Sequence, residues 1–111
     1  MTEMVETETR LHPRTPFRCR AKLAIGEKPA LDVVTADISP DGISLMIDQP
    51  IDPGQYCVIK FEVTVNGAAR QFSSIGKSIY CVPGGRNVSR IGFQFLELNA
   101  TNAAIIKALQ D

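Results

Sequence analysis

The chain has 111 residues, 44% of them hydrophobic, which suits one domain with a real core. Its 12 Lys and Arg balance 12 Asp and Glu, which disfavours a general nucleic-acid binder, since such proteins are more often basic overall. No apolar run approaches the roughly 20 residues that cross a membrane, so we expect a cytoplasmic protein without membrane insertion.

The first 16 residues divide into two segments of different character. Residues 1–9 carry three acids and no base, and we predict a disordered acidic tail. Residues 10–16 contain two prolines, which disfavour a helix and predict an extended, exposed arm. From Arg10 to Lys28 six bases face the single acid Glu27, a cationic strip that favours a small anionic ligand.

Alternating apolar and polar residues predict β-strands through most of the remaining chain. The predicted strands span 17–25, 31–38, 43–48, 56–65, about 70–81, and 90–98. The stretch Ser39-Pro40-Asp41-Gly42 fits a type I turn, and Asn66-Gly67 is a strong signal for a type I′ hairpin. Residues 83–87 read as a longer hairpin loop, and the weak alternation around Ser73, Ser74 and Gly76 suggests a bulge.

The last segment, residues 100–110, reads as a short helix capped by Asn99 or Thr101. Ile105, Ile106 and Leu109 would form the stripe that docks on the strands. We therefore predict an all-β fold at 10–111: six or seven antiparallel strands in a small closed or nearly closed β-barrel, with a short C-terminal helix and a flexible N-terminal arm. Closure of the barrel would remove the exposed strand edges.

Catalytic and metal chemistry find little support. His12 is the only histidine, it lies in the proline-containing arm, and the chain has no Gly-rich phosphate loop. Cys19, Cys57 and Cys81 are far apart, so we expect buried free thiols rather than a zinc site. We predict a protein that is not an enzyme and has no metal or cofactor.

A ligand-binding site is better supported, because turn chemistry does not require both Asp37 and Ser39 before Pro40. Arginines can pair with phosphate or with the O6 and N7 edge of guanine. The Asp37 carboxylate can accept from the N1 and N2 donors of guanine, and Gly42 allows close backbone approach. Arginines on an arm and these residues at a strand end would together suit a guanine nucleotide.

These residues resemble the two motifs of the PilZ domain family. Arg10-Leu11-His12-Pro13-Arg14 resembles its R-x-x-x-R motif, and Asp37-Ile38-Ser39-Pro40-Asp41-Gly42 resembles its (D/N)-x-S-x-x-G motif. Thr15-Pro16 and the run 90–95 are also similar to that family. The resemblance implies a six-stranded barrel without catalytic activity that binds cyclic di-GMP and relays the signal to a protein partner.

The resemblance also implies roles for individual residues. Arg10 and Arg14 would hold phosphates and guanine edges, while Asp37, Ser39 and Gly42 would receive a guanine on the barrel surface. Arg14 and Arg18 also have the R-x-x-x-R spacing. We prefer Arg10 and Arg14 as the motif because Pro16 lies two residues after Arg14, where the family has a proline. Further candidates are Arg18, His12, Gly76 and Lys77. Many family members carry another arginine where this chain has Thr9, which favours one ligand per protein.

Two other functions remain open at the level of sequence. A PilZ-like adaptor could work by protein contacts alone, without the nucleotide. A small barrel could bind single-stranded nucleic acid, but the chain has no Trp and few aromatics for base stacking, and we expect no DNA binding.

Overall fold

The computed structural model describes residues 13–111, so the predicted acidic tail at 1–9 and the first part of the arm lie outside the described residues. Within residues 13–111 seven strands form one sheet, followed by one helix. They are β1 (Thr15–Pro16), β2 (Arg20–Ile25), β3 (Leu31–Ile38), β4 (Gly42–Ile47), β5 (Tyr56–Val65), β6 (Ala68–Gly85), β7 (Val88–Phe95) and α1 (Ala100–Gln110).

Six of the strands close into a ring. The order is β3-β2-β5-β6-β7-β4, and β4 pairs again with β3, so that the sheet has no free edge between them. Every pairing is antiparallel, and the two-residue β1 is an extra strand added to β3. The predicted all-β class, the six antiparallel strands and the C-terminal helix are confirmed.

The core fills the inside of the ring with the inward residues of all six strands. Leu23, Ile38, Ile59 and Phe93 are completely buried there. Aromatic rings form a continuous row, with Phe61 stacked on Phe72 at 4.5 Å between ring centroids. The inner face is mostly apolar, so most polar side chains of the ring lie on the outer face or at the strand ends, and the few polar residues buried inside the ring are small.

The helix α1 packs on the ring as predicted. Asn99 caps it by accepting a hydrogen bond from the backbone N–H of Asn102 at 2.8 Å. Ile105 and Ile106 are buried, and Leu109 packs against the core at its margin. The side chain of Asn102 donates to the Ser73 carbonyl at 2.8 Å, which ties the start of the helix to β6.

The strand β6 is where the sequence prediction was least accurate. It runs through Gly85, so the predicted loop at 83–87 is wrong: the turn is only Arg86 and Asn87, with Asn87 at φ 58°. The predicted bulge near Ser73 and Gly76 is also misplaced, since the register breaks after Ser78 and after Pro83.

Small buried residues explain the misplaced bulge. Alternate residues of β6 remain inward through this region, but the inward positions are the small Ser74 and Gly76 instead of large apolar side chains. A Cβ on Gly76 would lie 3.1 Å from Cδ1 of Ile59 and 3.2 Å from Cβ of Phe93, so the core leaves little room there. The pattern looked irregular only because small residues carry a weak hydrophobic signal.

Two smaller predictions also differ from the structure. The strand β2 begins at Arg20 instead of residue 17, so Arg18 precedes it. Of the three free cysteines in the described chain only Cys57 is buried, while Cys19 and Cys81 are half-buried. Burial raises the pKa of the Cys57 and Cys19 thiols, which keeps both in the neutral form at pH 7.

Candidate functional site

The corner between β3 and β4 is a tight two-residue turn. Ser39 N–H donates to the Gly42 carbonyl at 2.9 Å, and Gly42 N–H donates back to the Ser39 carbonyl at 3.3 Å. Neither Pro40 nor Asp41 has a positive φ, as the predicted type I turn requires. The Ser39 hydroxyl accepts from the Asp41 N–H at 3.1 Å and is almost fully buried, so it helps to fix the turn.

Asp37 lies at the end of β3, between two arginines. Arg14 donates to Oδ1 at 2.8 Å, and Arg90 on β7 donates to Oδ2. The Asp37 side chain is only 11% exposed, against 16% for Arg14 and 40% for Arg90. The structure therefore brings together Arg14 and Asp37, as the sequence analysis expected, and adds a second arginine to them.

Two guanidinium groups share one carboxylate here, which leaves one unit of positive charge in excess. A hydrogen bond with Tyr80, aided by the nearby Asp37 charge, raises the pKa of Arg90 above its ordinary value. Arg90 is therefore charged at every physiological pH. A half-exposed surface with fixed positive charge and ready hydrogen-bond donors is suited to an anionic ligand.

The segment that carries Arg14 is anchored on β3. Thr15 and Pro16 pair with Ile38 and Asp37, and the next residue, Phe17, donates its N–H to the Ala36 carbonyl at 3.0 Å. Thr35 is fully buried, and its hydroxyl donates to the Phe17 carbonyl at 2.6 Å. These bonds place Arg14 beside Asp37 through the backbone and not only through the ion pair.

The end of α1 also contacts this segment. The side-chain amide of Gln110 lies 3.0 Å from the Pro13 carbonyl, 3.1 Å from the Thr15 hydroxyl and 3.4 Å from the Ile38 carbonyl. One side chain thus joins the helix to both the arm and the end of β3, so the helix end positions Arg14 indirectly.

We expect Gln110→Ala to loosen the arm while leaving the ring folded. Loss of a partly exposed side-chain hydrogen bond costs about 1 kcal/mol, so amide exchange at Thr15 and Phe17 should quicken by roughly fivefold. Hydrogen exchange followed by NMR measures this directly. Lys107→Ala, an exposed change one turn earlier on α1, is the control. Equal exchange at Thr15 and Phe17 in both variants would show that Gln110 does not hold the arm.

The outer face beside Asp37 can be followed across the strands by their register. Asp37 pairs with Ser44 on β4, Ser44 pairs with Gly92 on β7, and Gly92 pairs with Tyr80 on β6. The Ser44 and Tyr80 hydroxyl oxygens lie 3.0 Å apart, across Gly92. This row extends the polar surface of the candidate site from the β3 corner onto two further strands.

A second row runs parallel to it from the turn. Gly42 pairs with Gln94, and Gln94 pairs with Lys77 on β6. Lys77 lies in this row two strands from Gly42, with its ammonium 5.6 Å from the centroid of the Tyr56 ring. Gly76 faces the core between Ile59 and Phe93, and packing explains its lack of a side chain.

The remaining candidate residues fall elsewhere. Arg18 is exposed and precedes β2, three residues after the β1 pairing begins. Arg10 and His12 lie outside the described residues. Within residues 13–111 no group of three His, Cys, Asp or Glu side chains could hold a metal ion, and no helix has the length and apolar character to cross a membrane.

Sequence reasoning missed Arg90, Tyr80 and Ser44 as parts of the site. Arg90 lies 53 positions from Asp37 in the chain, and the two meet only because β4 pairs with both β3 and β7. Strand alternation does place Arg90 and Ser44 on the outer face. It does not say which outward residues of other strands will be their neighbours.

Comparison with known families identifies the fold. The family model of the PilZ domain matches residues 8–110 of the chain. The chain belongs to the PilZ domain family. No curated protein sequence is similar enough to the chain to count as a relative.

Solved structures agree with the PilZ fold at low sequence identity. The chain is similar to the Bacillus subtilis inhibitor of motility MotI/DgrA, with a TM-score of 0.78 and 13% identity over 91% of the chain, but it spans only 49% of that protein. The chain is also similar to the PilZ domain of YcgR from Escherichia coli with c-di-GMP, with a TM-score of 0.69 and 16% identity over 90% of the chain and 87% of that domain. For the PilZ domain of CeSA from a cellulose-synthesizing bacterium the TM-score is 0.65 and the identity is 16%, over 89% of the chain and 99% of that domain.

Proposed function

We propose that this PilZ domain binds cyclic di-GMP on the outer face of the ring around Asp37, and that it does so without catalysis or a cofactor. The observation that carries the proposal is the placement of Arg14 and Asp37, 2.8 Å apart, beside the Ser39–Gly42 turn. Residues from the two family motifs thus meet on one surface. The similarity to a YcgR domain with c-di-GMP gives further support.

The ligand's phosphates would pair with the arginines. Arg14 can turn from Asp37 to a phosphate oxygen, since a guanidinium has five donors and Asp37 uses one of them in the described structure. Arg90 would remain on Asp37 and keep that carboxylate oriented. Arg10, four residues earlier in the sequence, would add a second phosphate contact.

Asp37 would select guanine. Each carboxylate oxygen has a further lone pair beyond the one that an arginine uses, so Asp37 can accept from the N1 and N2 donors of a guanine edge. Adenine offers an acceptor at N1, which would face the carboxylate with no proton between them. Gly42 lets the base approach the turn, and the buried Ser39 holds the turn in shape.

The output of the domain would be a changed surface that a protein partner reads. Residues 13–17 are docked on β3 and joined to α1 through Gln110, so a ligand that moves Arg14 also strains the contacts of the helix end. We propose an adaptor of this kind, which relays cyclic di-GMP binding to another protein through the arm and α1.

Calorimetric titration with cyclic di-GMP tests this function. We expect micromolar affinity, about −8 kcal/mol, because Arg14 must give up its bond to Asp37 to bind phosphate, which offsets part of the charge pairing. Asp37→Ala should weaken binding by at least about tenfold, because alanine removes both acceptor oxygens. Asp32→Ala, on the exposed part of β3, is the control.

Two comparison ligands sharpen the test. Cyclic di-AMP should bind at least about 100-fold more weakly, since polar groups built for guanine donors would be left unpaired. A single-stranded oligonucleotide should give no heat. Binding of the oligonucleotide with a steep salt dependence, or equal affinity for both cyclic dinucleotides, would contradict the proposed function.

A further inference from the structure

A row of apolar side chains crosses four strands on the outer face of the ring. Ala24 on β2 pairs with Val58 on β5, and Val58 pairs with Ile75 on β6. Leu96, the residue after β7, continues the row by donating its N–H to the Ile75 carbonyl at 3.1 Å. Ile75 is 50% exposed and Leu96 is 48% exposed, where a solvated strand face would carry polar side chains. These four residues form the apolar row.

The apolar row ends in a hollow beside α1. The hollow has a volume of about 550 Å³. Val58, Ile75 and Leu96 line one part of it, and Leu98 and the start of the helix at Asn102 line another. Single exposed apolar residues are common on any protein, but a contiguous apolar row that borders a hollow is typical of a protein–protein contact surface.

The strand pairing beneath the apolar row limits the kind of partner that can bind there. The strand β5 lies between β2 and β6, and β6 lies between β5 and β7. An extended partner strand needs an unpaired edge for its hydrogen bonds, and the middle of the row offers none. A partner segment on this face must therefore satisfy its own backbone hydrogen bonds, as an α-helix does.

The spacing of the apolar row also fits a helix that lies across the strands. Neighbouring strands are about 4.8 Å apart, so the three steps from Ala24 to Leu96 span about 14 Å. A helix rises about 1.5 Å per residue, so apolar residues three or four positions apart recur about every 5 Å along it. A helix of about ten residues would thus place one apolar side chain over each strand.

Lysines border the apolar row on both sides. Lys60 lies in the next cross-strand row on one side, and Lys77 lies in the next row on the other. Within residues 13–111 neither lysine is in an ion pair, and Glu97 follows Leu96 at one end. Two cations against one acid favour a partner whose apolar stripe is bordered by Asp or Glu.

The same lysines disfavour a second copy of the chain as the occupant. A two-fold axis along the apolar row would bring Lys60 of one copy opposite Lys77 of the other. An axis across the row would bring each lysine opposite its own equivalent. Lysine would face lysine in both arrangements, and like charges at an interface oppose association.

We propose that the apolar row is the docking surface for an amphipathic helix of a protein partner, with acidic residues on both sides of its apolar stripe. The inference names a partner class for the adaptor role proposed above and rests on that part of it. The row also adjoins the proposed ligand site, because the register continues from Lys77 through Gln94 to Gly42. A helix on the row would lie beside the surface that cyclic di-GMP is proposed to cover.

Selection from a phage library of random peptides of about 16 residues, long enough for the helix and its ends, tests this surface in the absence of nucleotide. We expect the enriched sequences to carry apolar residues spaced three and four positions apart, with Asp or Glu beside them. Synthetic copies of these peptides should gain helical circular dichroism when they bind. Calorimetry then gives their affinity for the unmodified chain and for its variants.

Paired variants locate the contact. The double variant Ile75→Ser with Leu96→Ser should bind the enriched peptides at least about tenfold more weakly. Ile79→Ser with Val82→Ser is the control, since these residues are 46% and 43% exposed elsewhere on β6, and its affinity should change less than about twofold. Lys60→Glu should weaken binding more than Lys28→Glu, most clearly at low salt. Thermal melting identifies any loss that comes from unfolding.

Several outcomes would overturn the proposal. They are the enrichment of no sequence, enrichment of basic or aperiodic sequences, and equal affinity of the two double variants. Sedimentation with vesicles of phosphatidylcholine and phosphatidylserine that is lost in Ile75→Ser with Leu96→Ser would assign the row to a membrane instead. A dimer in analytical ultracentrifugation that the same variant abolishes would assign it to a second copy.

The nucleotide site is tested separately. The double variant Ile75→Ser with Leu96→Ser should keep the cyclic di-GMP affinity of the unmodified chain. If the unmodified chain binds no cyclic di-GMP but the peptide results are as expected, the proposed ligand is wrong and the docking surface stands. If the nucleotide binds and the two double variants have equal peptide affinity, the docking surface alone is wrong.

Discussion

Arg14→Ala should weaken cyclic di-GMP binding about 10- to 150-fold while the ring stays folded. A charge-assisted contact contributes roughly 1.5–3 kcal/mol, and each 1.4 kcal/mol is a factor of ten in affinity. The fold should survive because Arg90 still pairs with Asp37, so no carboxylate is left unpaired. Calorimetry gives the affinity, and the melting temperature gives the stability.

Arg18→Ala is the matched control for this prediction. Arg18 follows Arg14 at the same spacing that separates Arg10 from Arg14, and it is exposed before β2. We expect less than a threefold change in affinity. A larger loss for Arg18→Ala than for Arg14→Ala would assign the R-x-x-x-R motif to Arg14 and Arg18 instead of Arg10 and Arg14. That result would contradict the site described above.

Gly42→Ala should destabilise the protein strongly, by about 1–3 kcal/mol and by more if the turn cannot adjust. A Cβ on Gly42 would lie 2.1 Å from the carbonyl oxygen of Phe93, and the obstacle is backbone of the neighbouring strand. The glycine is therefore required by the pairing of β4 with β7, before any ligand is considered. Urea denaturation measures the change in the free energy of unfolding.

Gly26→Ala measures a different cost of replacing a glycine, the strain of a side chain at positive φ. Gly26 has φ +56° and nothing within 4 Å of an added Cβ, so only its backbone conformation opposes a side chain. That cost is about 1–2 kcal/mol. If Gly42→Ala were no more destabilising than Gly26→Ala, the close approach of β4 and β7 would not explain Gly42, and ligand approach would be the better reason.

The local elements could be predicted from sequence because their signals are local. Period-2 alternation gave β3 and β5 with the bounds that the structure has, and the Asn66-Gly67 dipeptide gave a turn in which both residues have positive φ. Asn99 capped the helix as its side-chain chemistry predicts. Each of these features depends only on a few neighbouring residues, so the local sequence is enough to predict it.

The neighbours across the ring could not be predicted in the same way. Arg90 and Tyr80 reach Asp37 and Ser44 because of strand order and register, which are decided by packing of the entire core. The shift in register after Ser78 also decides that Tyr80 lies over Gly92. Arg90 stood in the sequence within a run that resembles the family, yet its role appears only when β7 lies beside β4.

The arm differs from the flexible segment that its prolines suggest, at least from residue 13 onwards. Thr15 and Pro16 are paired with β3, and Gln110 contacts Pro13 from the end of α1. Ordering a residue costs about 1–2 kcal/mol, so residues already docked spare the ligand that cost. The proposed site is thus partly preorganised.

The most direct test of the proposed site is a map of backbone amide shifts while cyclic di-GMP is added to the labelled chain. We predict the largest shifts at Arg14, from Asp37 to Gly42, and at Tyr80 and Gly92, with little change around Lys22 and Lys60 on β2 and β5. No shift on addition of the ligand, or shifts centred on Lys22 and Lys60, would contradict a cyclic di-GMP site at Asp37.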